Sequence, residues 1–224
     1  MAARPRVIAF DVVETVVSPE RLRARLSEAG QPGHVLELWF ARLLRNGFAL
    51  AASGAYHPFG DVATAALAEA TGYALTPADM EQVVAGFRDL AAHPDAEPAM
   101  RRATDAGVRV IAITNGSAAI TGHLLRDAGL EDHVERVVSI DEVRTWKPAP
   151  AVYRHAAEAC DVPVNRLALV AAHSWDTHGA RRAGLVSGWV SRLEGRYPEI
   201  FDAPDVTGKD LVEVVDGLLA LPAD

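Results

Sequence analysis

The sequence predicts an α/β fold built on a parallel sheet, with an all-helical cap inserted after the first strand. Three observations predict it. Residues 7–10 form a short apolar run, VIAF, that ends in a lone carboxylate, Asp11, the pattern of a buried strand closed by a polar residue. The stretch 19–92 then carries helical spacing and no strand pattern. From residue 97 onward helix and strand patterns alternate, which calls for crossover connections and a parallel sheet.

Taken in order, the first strand delivers Asp11 to its carboxyl end, where open parallel sheets gather their functional groups. Four helical stretches follow. Ser18-Pro19 starts the first, 19–29, which closes at Gly30. The second, 34–52, spaces Val35, Leu38, Trp39, Leu43, Phe48 and Leu50 as an amphipathic helix does. The third, 59–70, ends at Thr71-Gly72, and Thr76 caps the fourth, 77–92. His93-Pro94-Asp95 breaks the pattern. Beyond it, helices are expected at 97–106, 118–127, 150–159, 175–183 and 209–219, and strands at 108–114, 134–139, 167–172 and 187–191. Residues 1–16 and 96–224 therefore form the core, and residues 17–95 the cap.

Composition narrows the function. The chain has 224 residues, 50% of them hydrophobic, enough for one domain with an insertion and a sizeable core. Its 22 basic and 30 acidic residues give a formal charge of −8 with no basic tract, which argues against nucleic acid or an anionic membrane surface as partner. The one cysteine, Cys160, excludes an internal disulfide and any multi-cysteine metal site. No signal peptide or membrane-length apolar stretch is visible, and a cytoplasmic location is expected.

Four strand ends or adjoining loops carry polar groups: Asp11 with Thr15, then Thr114-Asn115-Gly116-Ser117, then Lys147-Pro148-Ala149-Pro150, then His173-Ser174-Trp175-Asp176. Each alone is an ordinary cap, loop lysine or first-turn carboxylate. Their order and placement together resemble the haloacid dehalogenase superfamily, specifically its type II L-2-haloacid dehalogenase branch, from Arg6 to about Arg192. FDVVET is similar to the first motif of that family, TNGS to the second, KPAP to the third and HSWDTHGA to the fourth.

The resemblance implies a Rossmann-like core and a metal-independent, cofactor-free hydrolase. Asp11 is then the nucleophile that displaces halide from a small 2-haloacid, leaving an ester that water opens to a 2-hydroxy acid of inverted configuration. Arg42, within LELWFARLL, and Asn115 cradle the halide, with Phe59 excluding water and Trp175 bordering the site. Thr114 and backbone amides near Val12 and Val13 hold the substrate carboxylate. Lys147 keeps Asp11 ionised, and Asp176 activates water with help from His173. A homodimer through Trp39, Phe40 and Leu44 is also expected.

Val13 selects the branch. Phosphatases of the superfamily carry a second aspartate there, which protonates a basic alkoxide leaving group; a halide needs no proton, and valine has none to give. Five positions depart from the family pattern. Glu14 replaces a usual glycine, Ala171 and Ala172 replace hydroxyl residues, His173 replaces an asparagine, and Val13 is smaller than the branch's aromatic residue. Two other readings stay open: a Mg²⁺-dependent phosphatase with atypical motifs, and an idle relative that binds a small carboxylate or a partner protein.

Overall fold

The computed structural model describes residues 2–223. Strand β1 (Val7–Phe10) is buried along its whole length, as its unbroken apolar sequence requires of a strand covered on both faces. The chain then turns tightly, with Val16 and Val17 both donating to the Val12 carbonyl, at 2.8 and 3.0 Å. Strand β2 (Val17–Ser18) leads into α1 (Leu22–Glu28), α2 (Val35–Ser53), α3 (Phe59–Ala70) and α4 (Pro77–Ala85). Strand β3 (Ala91–Ala92) returns antiparallel to β2.

The expectation of a strand-free helical block is thus corrected at its ends. The fourth helix stops at Ala85, a 3-10 turn covers Gly86–Arg88, and β3 follows. These two-residue strands pair the outgoing and returning chain at the point where it leaves the sheet.

The remainder alternates as expected: α5 (Ala96–Asp105), β4 (Arg109–Thr114), α6 (Ala118–Asp127), β5 (Arg136–Ser139), α7 (Pro150–Ala159), β6 (Leu167–Ala171), α8 (Ser174–Ala183) and β7 (Val186–Val190). A short strand that periodicity does not predict, β8 (Val206–Gly208), precedes α9 (Leu211–Leu219). The six-stranded sheet has the order β5-β4-β1-β6-β7-β8, with every neighbouring pair parallel. Phe10 stands opposite Ala112 and Val170, so β1 lies centrally with β4 and β6 on its flanks. Their carboxyl ends open on the same side, and the helical block covers that end.

Three contacts of Trp146 seat the block. The Trp146 indole donates to the His57 carbonyl at 3.0 Å and stacks on Phe59 at 5.9 Å. Gly47 of α2 lies directly on the Trp146 ring, and a Cβ there would collide with it. The loop bearing Lys147 is therefore packed against α2 and α3 through its neighbour.

Candidate active site

Asp11 follows the last residue of β1, and its N–H continues the ladder to the Val170 carbonyl at 3.0 Å. Its carboxylate is almost fully buried and has three side-chain partners. Lys147 Nζ donates to Oδ1 at 2.7 Å. Thr15 Oγ1 donates to Oδ2 at 2.7 Å, and His173 Nδ1 lies 3.2 Å from the same oxygen. Burial alone raises this carboxyl, but the Lys147 ammonium, and then His173, hold it well below the usual carboxylate range. Asp11 is an anion in a dry site.

Lys147 is completely buried. Its ammonium bridges Asp11 and Asp176, the latter at 2.6 Å, and also donates to the Ile113 carbonyl at 3.2 Å. Burial pulls its pKa down; the two carboxylates outweigh that and raise it. Three acceptors for three protons satisfy the ammonium, the condition under which a buried charge is tolerated.

Asp176, on the first turn of α8, is wholly buried behind that lysine. Its Oδ1 accepts from the Tyr153 hydroxyl at 2.6 Å while Oδ2 takes Lys147. Burial raises its pKa against the pull of Lys147, and the charge of Asp11 adds to the rise. Both oxygens of Asp176, the residue expected to activate water, are thus engaged, and it is not among the residues lining the cavity. Tyr153 closes the KPAPAVY run that carries the third motif and sits on the first turn of α7; its bond to Asp176 is not readable from that run.

His173 closes the other side. Its Nε2 is 2.8 Å from Glu14 Oε2, so the ring is clamped between two carboxylates. Burial opposes its charge, but hydrogen bonds and attraction from Asp11 and Glu14 push its pKa up to about 10. At neutral pH it is an imidazolium with both nitrogens donating. His173 thus stands in the wall of the cavity beside Asp11, where the sequence places it. Glu194 donates nothing but fixes this loop, accepting from Ser174 N–H at 3.0 Å, Ser174 Oγ at 2.8 Å and Trp189 Nε1 at 3.0 Å. No local pattern in the sequence marks Glu194.

The cavity in front of Asp11 has a volume of about 30 Å³, room for a water molecule. Glu14, Thr114, Asn115, Gly116 and His173 supply its polar wall; Val13, Phe40, Leu43, Leu44, Phe59 and Trp175 supply the apolar one. Asn115 Oδ1 accepts from Lys147 N–H at 3.1 Å, and Thr114 Oγ1 from Gly116 N–H at 2.9 Å. Val12 faces the hydrophobic core instead, and Ser117 caps α6.

Arg42 does not join this set. The guanidinium of this expected halide receptor donates to the Glu69 carbonyl at the end of α3, and Arg42 is not among the residues lining the cavity. Phe40, two residues earlier and so about 200° around the helix, lines the cavity with Leu43 and Leu44 of the same helix. Arg42→Ala is expected to leave kcat/KM of the enzyme within about two-fold, since its nearest partner is a helix end worth about 0.3–1 kcal/mol; a loss beyond ten-fold in halide release would return Arg42 to the site. Of the residues expected at a dimer contact, Trp39 and Phe40 are buried within the chain, with Trp39 Nε1 donating to the Ala63 carbonyl at 2.8 Å, and Leu44 is partly buried.

An anionic aspartate at the carboxyl end of a central parallel strand, with a buried ammonium against it, is the arrangement of an aspartate-centred hydrolase. The chain belongs to the haloacid dehalogenase-like hydrolases, whose family model matches residues 5–184. An (S)-2-haloacid dehalogenase of Pseudomonas putida is 27% identical over 218 residues, 95% of this chain and 97% of that protein. A haloacetate dehalogenase of Moraxella sp. is 28% identical over 130 residues, 58% of this chain and 56% of that protein. A solved L-2-haloacid dehalogenase superposes with a TM-score of 0.89 at 26% identity, covering 98% of this chain and 100% of the other. The L-2-haloacid dehalogenase of Xanthobacter autotrophicus with chloropropionic acid covalently bound shares the fold, at a TM-score of 0.88 and 20% identity over 95% of this chain and 97% of that one.

Proposed function

We propose that the protein hydrolyses small 2-haloacids to 2-hydroxy acids and halide through an ester on Asp11. The observation that carries this reading is the ionised Asp11 carboxylate, fixed by Lys147 and Thr15 at the floor of a mostly apolar cavity. A desolvated carboxylate is a stronger nucleophile than a hydrated one, and the fixed donors orient it. The helices between β2 and β3 act as a cap, residues 17–95, over a core of residues 1–16 and 96–224.

The walls divide the substrate. Phe40, Phe59 and Trp175 offer positive ring edges and a dry surface to a departing halide. Asn115, with its Oδ1 given to Lys147, has its amide donors for the halide or the carboxylate. Thr114 and the backbone amides around Val12 and Val13 receive the substrate carboxylate. The small cavity favours short acids and requires the cap to move for entry. Val13 leaves no acid beside the nucleophile for an alkoxide or phosphate leaving group.

Halide release from single enantiomers of 2-chloropropionate, with EDTA present, tests this reading. Release from the L form alone, with D-lactate as product, is expected. Silence toward both enantiomers and chloroacetate, with Mg²⁺-dependent cleavage of a phosphate ester, would overturn it in favour of a phosphatase.

Among the described residues no helix is long and apolar enough to cross a membrane. We propose a cytoplasmic enzyme. We also propose that it is a homodimer; exposed Leu38 of α2 is available to the contact where Trp39 is not.

A further inference from the structure

Glu14 is the least expected residue at this site. It is a non-glycine residue held at φ 68°, a left-handed conformation that disfavours any residue with a side chain. Strain of this kind persists where the surroundings impose it and gathers at functional sites. Its carboxylate lines the same cavity as Asp11, and its side chain keeps 17% of its surface exposed.

We propose that Glu14 is the proton acceptor of the hydrolytic half-reaction, working on a water held against the Asp11 ester while His173 and Thr15 hold the ester's carbonyl oxygen. The inference rests on the dehalogenase reading above. Three observations support it. Asp176 is sealed behind Lys147, with both oxygens engaged. Glu14 is the carboxylate other than Asp11 that reaches the cavity, and His173 ties it to the nucleophile by bonds of 2.8 and 3.2 Å. Oδ2 of Asp11 receives two donors, whereas Oδ1 has Lys147 alone among side chains. That asymmetry leaves Oδ1 the freer nucleophile and makes Oδ2 the carbonyl of the ester, already seated in a two-donor cradle.

The steps balance. In the first, an Oδ1 lone pair displaces halide from the α-carbon and no proton moves. In the second, water oxygen adds to Cγ of Asp11 as one of its protons passes to Glu14. The C=O electron pair moves onto Oδ2, held by His173 N–H and Thr15 O–H. Collapse breaks the bond from Cγ to the ester oxygen, which leaves as the hydroxyl of the product with the proton from Glu14. The second water proton leaves the new carboxyl through Glu14 to solvent, restoring Asp11 as a carboxylate with one oxygen from water.

The test compares wild type, Glu14→Gln, Glu14→Gly and Asp176→Asn by rapid quench and intact mass with L-2-chloropropionate. Glycine relieves the left-handed backbone, so that variant keeps the fold. Both Glu14 variants are expected to release one halide per site in a burst and accumulate a covalent adduct. Their turnover should fall about 10²–10⁴-fold, the usual scale of lost proton transfer. Wild-type turnover in either Glu14 variant overturns the proposal. So does loss of the burst itself in both, or adduct accumulation in Asp176→Asn alone. A wild type that releases no halide overturns the dehalogenase reading and this proposal together, whereas a wild type that turns over beside unstalled Glu14 variants overturns this proposal alone.

Discussion

Asp11→Asn is expected to abolish halide release, by about 10⁴-fold or more, and to leave the fold intact. The scale is that of removing a nucleophile from a site whose other members act through it. An amide is a poor nucleophile, and its geometry adds a second penalty. Both Asp11 oxygens accept hydrogen bonds, from Lys147 on one side and from Thr15 and His173 on the other. An Asn side chain has one accepting oxygen, so its NH₂ must face either the ammonium or the imidazolium. The cost to stability is about 1–3 kcal/mol, the range for a buried donor left unsatisfied, and a cooperative urea transition at lower midpoint is the expected reading. No covalent adduct should form with L-2-chloropropionate. Residual turnover above a few per cent would mean that water attacks the α-carbon directly and that Asp11 is no more than an electrostatic neighbour.

The sheet was legible because its strands announce themselves locally. VIAF, VIAIT and LALVA are apolar runs closed by polar residues, and β1, β4 and β6 fall on them. Helices α3, α6 and α7 match their sequence bounds because Gly or Pro marks their ends. The β2–β3 ladder is only two residues long on each side, too short to leave a period. The site was legible where a motif sits at a strand end and illegible where it depends on which way a helix turns. Phe40 lies outside the amphipathic spacing of α2, so periodicity does not mark it as a cavity residue; packing against Phe87 and Trp39 places it there. The sealing of Asp176 depends on Tyr153 and Lys147, and the Glu14–His173 bond joins residues 159 positions apart. No local pattern encodes either.

Lys147→Met should be the most destabilising single change at the site, by about 3–5 kcal/mol near neutral pH, the usual cost of removing one partner from a buried ion pair. Methionine fills much of the same volume, so the loss is electrostatic rather than a cavity. Without the ammonium, Asp11 and Asp176 are left as two carboxylates in one dry site, and one must take up a proton. The sign of the pH dependence then inverts. In the wild type the folded pKa of Asp11 is depressed; its contribution is present above the unfolded value and is lost as pH falls through the folded one. In the variant a carboxyl with a raised pKa binds more protons folded than unfolded, so stability falls as pH rises past about 4. The deficit relative to wild type is therefore expected to be large at about pH 8 and to shrink toward about pH 4. Urea midpoints at the two values measure it, and a deficit independent of pH would show that Lys147 contributes packing and not charge. Halide release should fall about 10²–10⁴-fold with it, because a protonated Asp11 does not attack. Lys147→Arg is not expected to rescue either quantity: a planar guanidinium cannot point its donors at Asp11, Asp176 and the Ile113 carbonyl from the place one ammonium occupies.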